Sequence, residues 1–261
     1  MRQRLARELL DDDLGTPAEV QRSLDELWWI NRHLGGLSTW RRLLERWWLS
    51  QAPLPRALRM LDVGAGTGQM AAANAAGLRG RGTAVDVWAL DRRAGHLRGA
   101  NGIAGDAFRL PFADGSVDLV TCNLFLHHFH DQPRQPGDAL SASGRPVPGI
   151  AARPPSDQRE RPRQKVAGHP GDGAASRLLA EMLRVARHAV LINDLDRGWL
   201  GYLAIQLLGV RFSRITRHDG PRSVRQAYTA RELEALARST RAARYEVHRL
   251  WPCRLGMILW K

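Results

Sequence analysis

The stretch LDVGAGTGQM, residues 61–70, constrains the fold of this chain more than any other. Gly64, Gly66 and Gly68 crowd into five positions between an apolar run, ALRMLDV (57–63), and an alanine-rich run, QMAAANAAGL (69–78). Each glycine costs backbone entropy, so the chain needs here a turn, or a backbone approach, that a side chain would block. A strand handing over to a helix through such a turn brings backbone N–H groups close to a ligand. Dinucleotide-binding turns space their glycines Gly-x-Gly-x-x-Gly. Here the third glycine comes one residue early, and position 69 is Gln. Asp62 at the strand end would repel a pyrophosphate, whereas the amino group of a zwitterion would find its counter-charge there.

Around that turn, strand and helix patterns alternate. TAVDVWALD (83–91) reads as a second strand ending on Asp91, and ANGIAGDAFRLPFADGS (100–116) as a short third strand with a turn-rich exit. VDLVTCNLFLHHF (117–129) is a fourth strand running into a loop, and HAVLINDL (188–195) a fifth. ASRLLAEMLRVAR (175–187) is an amphipathic helix; TARELEALARST (229–240) is another, with Thr229 and Glu232 spaced as a capping box. RYEVHRLW and LGMILW close the chain as two more strands. The alternation predicts an α/β fold: a mostly parallel seven-stranded sheet with helices on both faces.

Residues 1–50 read as an added helical segment, with apolar residues returning every three or four positions. Five of the nine tryptophans fall between residues 28 and 48. They are expected to pack the helical pair on the main domain, and also suit the roof of a pocket for an apolar or aromatic ligand. The main domain then spans 51–261, interrupted at 131–175. That segment holds eight of the fourteen prolines and few large apolar side chains, too little to order itself. A disordered insertion and a stretch translated out of frame from GC-rich DNA both fit it; an ordered lid fits less well.

The formal charge of +13 suggests a nucleic-acid partner at first sight, but all basic residues except Lys165 and Lys261 are arginines, spread without a block. Nucleic acid is therefore not the expected partner. Cys122 and Cys253 form neither a disulfide framework nor a metal-ligand spacing, and both read as buried free thiols. The N-terminus lacks the apolar core of a signal peptide, and WLGYLAIQLLGV (199–210) is too short to span a bilayer. A cytoplasmic protein without a transmembrane segment is expected.

Asp91 ends the second strand 23 residues after Gly68, where an acidic side chain takes the hydroxyls of a ribose or, alternatively, caps a helix. Asp106 and Ala107, read as ending the third strand, offer a carboxylate and a backbone N–H to an adenine. LDVGAGTG, the strand-end Asp91, GDAFRLPFADGSVDLV and NLFLHHF, in that order, resemble the class I S-adenosylmethionine-dependent methyltransferases, which have a Rossmann-like fold. The resemblance is strong over 57–130 and weaker over 176–261. It implies S-adenosylmethionine as cofactor, with Gly64, Ala65, Gly66 and Gly68 at its methionine moiety and Asp62 near the amino group. It further implies Asp91 on the ribose, Asp106 and Ala107 at the adenine, and Asn123 beside the sulfonium. More loosely, HDGPRSVRQAYTARELEAL and the N-terminal helices are similar to small-molecule methyltransferases of bacterial polyketide pathways.

The activity implied is methyl transfer, with O-methylation favoured, to a small apolar, phenolic or polyketide-like acceptor in secondary metabolism. RNA methylation, a nucleotide-dependent oxidoreductase and an inactive cofactor-binding relative are the alternatives. A hydroxyl acceptor needs a base. His127 and His128 after the fourth strand, His218 beside Asp219, and Asp194 at the end of the fifth strand are the candidates, although HDGP is also turn composition. No metal ligand set is expected.

Overall fold

The computed structural model describes residues 1–50, 57–99, 101–131 and 173–261. Its centre is a seven-stranded sheet ordered β3-β2-β1-β4-β5-β7-β6. The strands are β1 (Ala57–Val63), β2 (Ala84–Asp91), β3 (Gly102–Ala104), β4 (Val117–Asn123), β5 (Ala186–Leu195), β6 (Arg244–Leu250) and β7 (Arg254–Trp260). Strands β1 to β5 pair in parallel, and β7 runs antiparallel to both β5 and β6.

Period-two burial sends alternate side chains to the two faces. Leu61, Val63, Val190, Ile192, Met257 and Leu259 turn to one face and meet α4 (Ala174–Val185) and α7 (Ala230–Ser239). Leu58, Met60, Ala189, Leu191 and Ile258 turn to the other, where α2 (Gly36–Leu49) and α3 (Gln69–Arg79) cover them. Trp40 and Trp47 of α2 are fully buried in this second layer. Large apolar side chains contribute about 2 kcal/mol each when buried this way, which is why the tryptophan-rich segment belongs to the domain core.

A third group of elements lies over the edge where the parallel strands end. Helix α1 (Pro17–His33) starts at a Thr16–Glu19 capping box and packs Val20 and Leu24 on Ile215 of α6 (Arg214–Gln226). Helix α5 (Trp199–Gly209) follows β5. The N-terminal segment, which forms a 3-10 turn at Leu10–Asp12, is tied down from α6: Asp219 accepts from Leu9 and Leu10 N–H at 2.9 and 3.0 Å. The HDGP stretch is thus helical rather than a turn, with Pro221 inside α6; burial of Ile215, Asp219 and Val224 overrides its turn composition.

Three further expectations are corrected. The third strand stops at Ala104, so Asp106 and Ala107 lie in the loop beyond it. Cys253 is half-buried rather than buried, because it sits in the turn between β6 and β7. Ala174 and Ala175 open α4, so the expected insertion is shorter at its far end; residues 132–172 of it lie outside the described residues.

Candidate active site

The sheet order reverses direction between β1 and β4, and a cleft opens there at the C-terminal strand ends. Gly64, Gly66 and Gly68 all have positive φ, at 68°, 53° and 75°. A Cβ on Gly64 would fall inside the Phe125 ring, so both the backbone angle and the space demand glycine. Gly66 N–H donates to Asp91 Oδ2 at 2.9 Å, and Ala65 N–H to Leu90 O at 3.0 Å, tying the turn to the end of β2.

The turn forms one wall of a cavity of about 990 Å³. Asp62, Gly64, Ala65, Gly66, Asp91, Asp106, Ala107 and Asn123 all line it, so eight of the nine cofactor positions expected from the sequence come together. Gly68 does not line it. That residue opens α3, and a Cβ there would press on Ala89 at 3.2 Å.

The buried Asp62 carboxylate uses one oxygen fully, accepting from Thr121 Oγ1 at 2.7 Å and Asn123 Nδ2 at 3.1 Å. Its other oxygen has no hydrogen-bond partner. Burial pushes this carboxyl up to about 7, against the pull of Thr121 and Asn123 and with help from the Asp91 charge. A buried carboxylate oxygen left over at a cavity wall fits an ammonium group. Asn123 is held in turn by Asn193 Nδ2 at 3.2 Å. Asp91 spends its second oxygen on Arg93 N–H at 2.9 Å; no helix starts there for it to cap.

The far end of the cavity is built differently. His127 is buried, with Nδ1 2.6 Å from Asp194 Oδ1 and its backbone N–H 3.0 Å from Oδ2. Burial would raise the Asp194 carboxyl, but the His127 charge and hydrogen bonds hold it below the ordinary range. His127 Nε2 has no hydrogen-bond partner and lies 4.0 Å from Glu8 Oε1. Glu8 is buried too, accepting from Ser223 Oγ and Gln226 Nε2, each at 2.7 Å, and burial pushes its carboxyl up. His128 stands beside Asp11 at 3.3 Å. Burial works to lower the His128 pKa, yet the Asp11 hydrogen bond and the Glu8, Asp11 and Asp194 charges lift it to about 9.

Glu8 was not legible as a site residue, since nothing in a helical N-terminus foretells which buried imidazole it will meet. Glu8, His127 and His128 also bring ligand atoms within 4.8 Å of one another, a donor set that suits a first-row divalent cation. His218 does pair with Asp219, at 2.6 Å, but it is absent from the cavity wall, and its aspartate is committed to the N-terminal segment. Apolar side chains complete the chamber: Leu24, Leu27 and Trp28 from α1, and Ala204, Ile205 and Leu208 from α5. Of the N-terminal tryptophans, Trp28 alone reaches the cavity wall.

Residues 61–139, which begin with the glycine turn and run past His128, match the family model described as methyltransferase domain. This chain carries a methyltransferase domain. Solved structures share the fold over nearly the full length of the chain. It is similar to an S-adenosylmethionine-dependent methyltransferase from Aquifex aeolicus, at 13% identity and TM-score 0.50, over 94% of this chain and 98% of the other. It is also similar to the plantazolicin methyltransferase BpumL, solved with a triazolic desmethylPZN analog and SAH, at 15% identity and TM-score 0.55, over 96% and 97% of the two chains. No curated protein matches the sequence significantly. The fold is the Rossmann-like class I methyltransferase fold. Among the described residues no helix is long and apolar enough to cross a membrane.

Proposed function

We propose that this methyltransferase moves a methyl group from S-adenosylmethionine to a hydroxyl of a small, apolar, phenolic or polyketide-like acceptor. One observation carries the reading: a single cavity joins the glycine turn and Asp62 at one end to the unpartnered Nε2 of His127 at the other. The cofactor supplies a methyl already activated on a positively charged sulfur. Asp62 takes the amino group, Asp91 the ribose hydroxyls, the loop at Asp106 and Ala107 the adenine, and the Gly64–Gly68 turn lets the backbone come close.

The protein's remaining work is to orient the acceptor and remove its proton. His127 Nε2 is the base. Asp194 fixes the imidazole by accepting at Nδ1, which leaves Nε2 as the acceptor nitrogen, and it stabilises the imidazolium once the proton has arrived. The leucines of α1 and α5 exclude water from the acceptor and favour a greasy molecule over a polynucleotide.

A panel of hydroxylated aromatic compounds, with total RNA as a separate arm, tests this by release of S-adenosylhomocysteine. Turnover with one or more phenols supports the reading. Turnover with RNA alone, or cofactor binding with no turnover on any acceptor, sinks it.

A further inference from the structure

Helix α5 is apolar on both sides. Its inner side faces the cavity, while Trp199, Leu200, Leu203 and Leu207, with Val210 just past its end, are each more than half exposed. At about 100° per residue these five fall on one stripe of the helix surface. No charged side chain interrupts Trp199–Gly209. Trp251, 72% exposed, lies in the turn that brings Cys253 against Gly201 near the start of the helix. A monomer in water rarely exposes a contiguous apolar face of this kind.

The surroundings are basic. Arg211 and Arg217 are exposed, and neither side chain has an ion pair or hydrogen bond among the described residues. Arg217 lies beside the end of α5, its Cγ 3.7 Å from where a Cβ on Gly209 would stand. Arg225 stacks its guanidinium over Tyr202 of α5 at 4.6 Å. The nearest acid at the start of the helix, Asp196, is paired with Arg249 at 3.6 Å.

We infer that the outer face of α5 docks this protein on an anionic lipid bilayer surface, with the helix lying in the plane of the interface. An apolar stripe with tryptophan at one end and arginines alongside is the pattern of an interfacial helix. A second copy of the chain fits the patch less well, because each copy carries a formal charge of +13 and the two would repel. Docking sets the helix that walls the cavity against the lipid, so an apolar acceptor dissolved in the bilayer enters without crossing water.

Sedimentation with phosphatidylcholine vesicles, with and without phosphatidylglycerol, reads this out for the full chain. Binding is expected on the anionic vesicles, weakening with salt. The double variant Leu203→Glu/Leu207→Glu should lose it while keeping S-adenosylmethionine affinity, since neither leucine lines the cavity. Arg211→Gln and Arg217→Gln should each weaken it roughly fivefold. Absence of binding, equal binding by the double glutamate variant, or a stable dimer in ultracentrifugation that this variant breaks would overturn the inference.

Discussion

The carboxylate of Asp194 holds His127 twice, at the ring through Nδ1 and at the backbone through N–H, over 2.6 and 3.0 Å. Because β5 ends at Leu195 and β4 at Asn123, the two residues emerge side by side from paired parallel strands. The imidazole is therefore oriented from its own main chain as well as from its ring.

If that orientation serves proton removal, His127→Gln should lower kcat by about 10²- to 10⁴-fold with little change in S-adenosylmethionine affinity. Asp194→Asn should lower kcat as well, by leaving the imidazole in the wrong tautomer. Steady-state kinetics beside calorimetric titration of the cofactor separates the two effects. Unchanged kcat in both variants would remove the base from the mechanism.

If Asp62 takes the cofactor's amino group, cofactor binding depends on pH. The carboxyl's folded-state pKa of about 7 lies above the unfolded value, so below pH 7 the cofactor-free protein holds a proton where the amino group must dock. Affinity should rise about tenfold per pH unit between pH 5 and 6.5 and then level off. The same proton linkage makes the cofactor-free protein lose stability as pH climbs from about 4 to 7. Calorimetry across this range is the check, and Asp62→Asn should flatten both profiles.

Gly64→Ala should abolish measurable cofactor binding and lower the Tm. The substitution forces a side chain into a positive-φ backbone, at a cost of about 1–2 kcal/mol, and displaces the Phe125 ring as well. Gly77→Ala, in the exposed part of α3 where a Cβ meets nothing within 4 Å, serves as the control and should leave both unchanged or raise the Tm slightly.

Asp131 and Gly173, which flank residues 132–172, touch one another, and Asp131 also accepts from Ser176 N–H at 3.0 Å. Replacing 132–172 by a short glycine-serine linker should therefore preserve the fold and the cofactor affinity, since closing so short a gap costs little entropy. Loss of the folded state on circular dichroism would show that the segment contributes to the domain.

The sequence by itself determined the parts whose signal is local. β1, the glycine turn and α3 are written in consecutive residues, with Ala57–Val63 and Gln69 falling at the expected boundaries. Asp62 and Asp91 were legible because strand ends in a parallel sheet share one edge. The tertiary structure decided which distant side chains meet. Period and turn chemistry say nothing about whether Glu8 reaches His127, or whether His127 or His218 faces the cavity; those follow from how α1, α5 and α6 pack over the strand ends. The HDGP stretch shows the same limit, because the burial of Ile215 and Val224 made it helix against its composition. Local preferences amount to tenths of a kcal/mol per residue, and a buried long-range contact outweighs them.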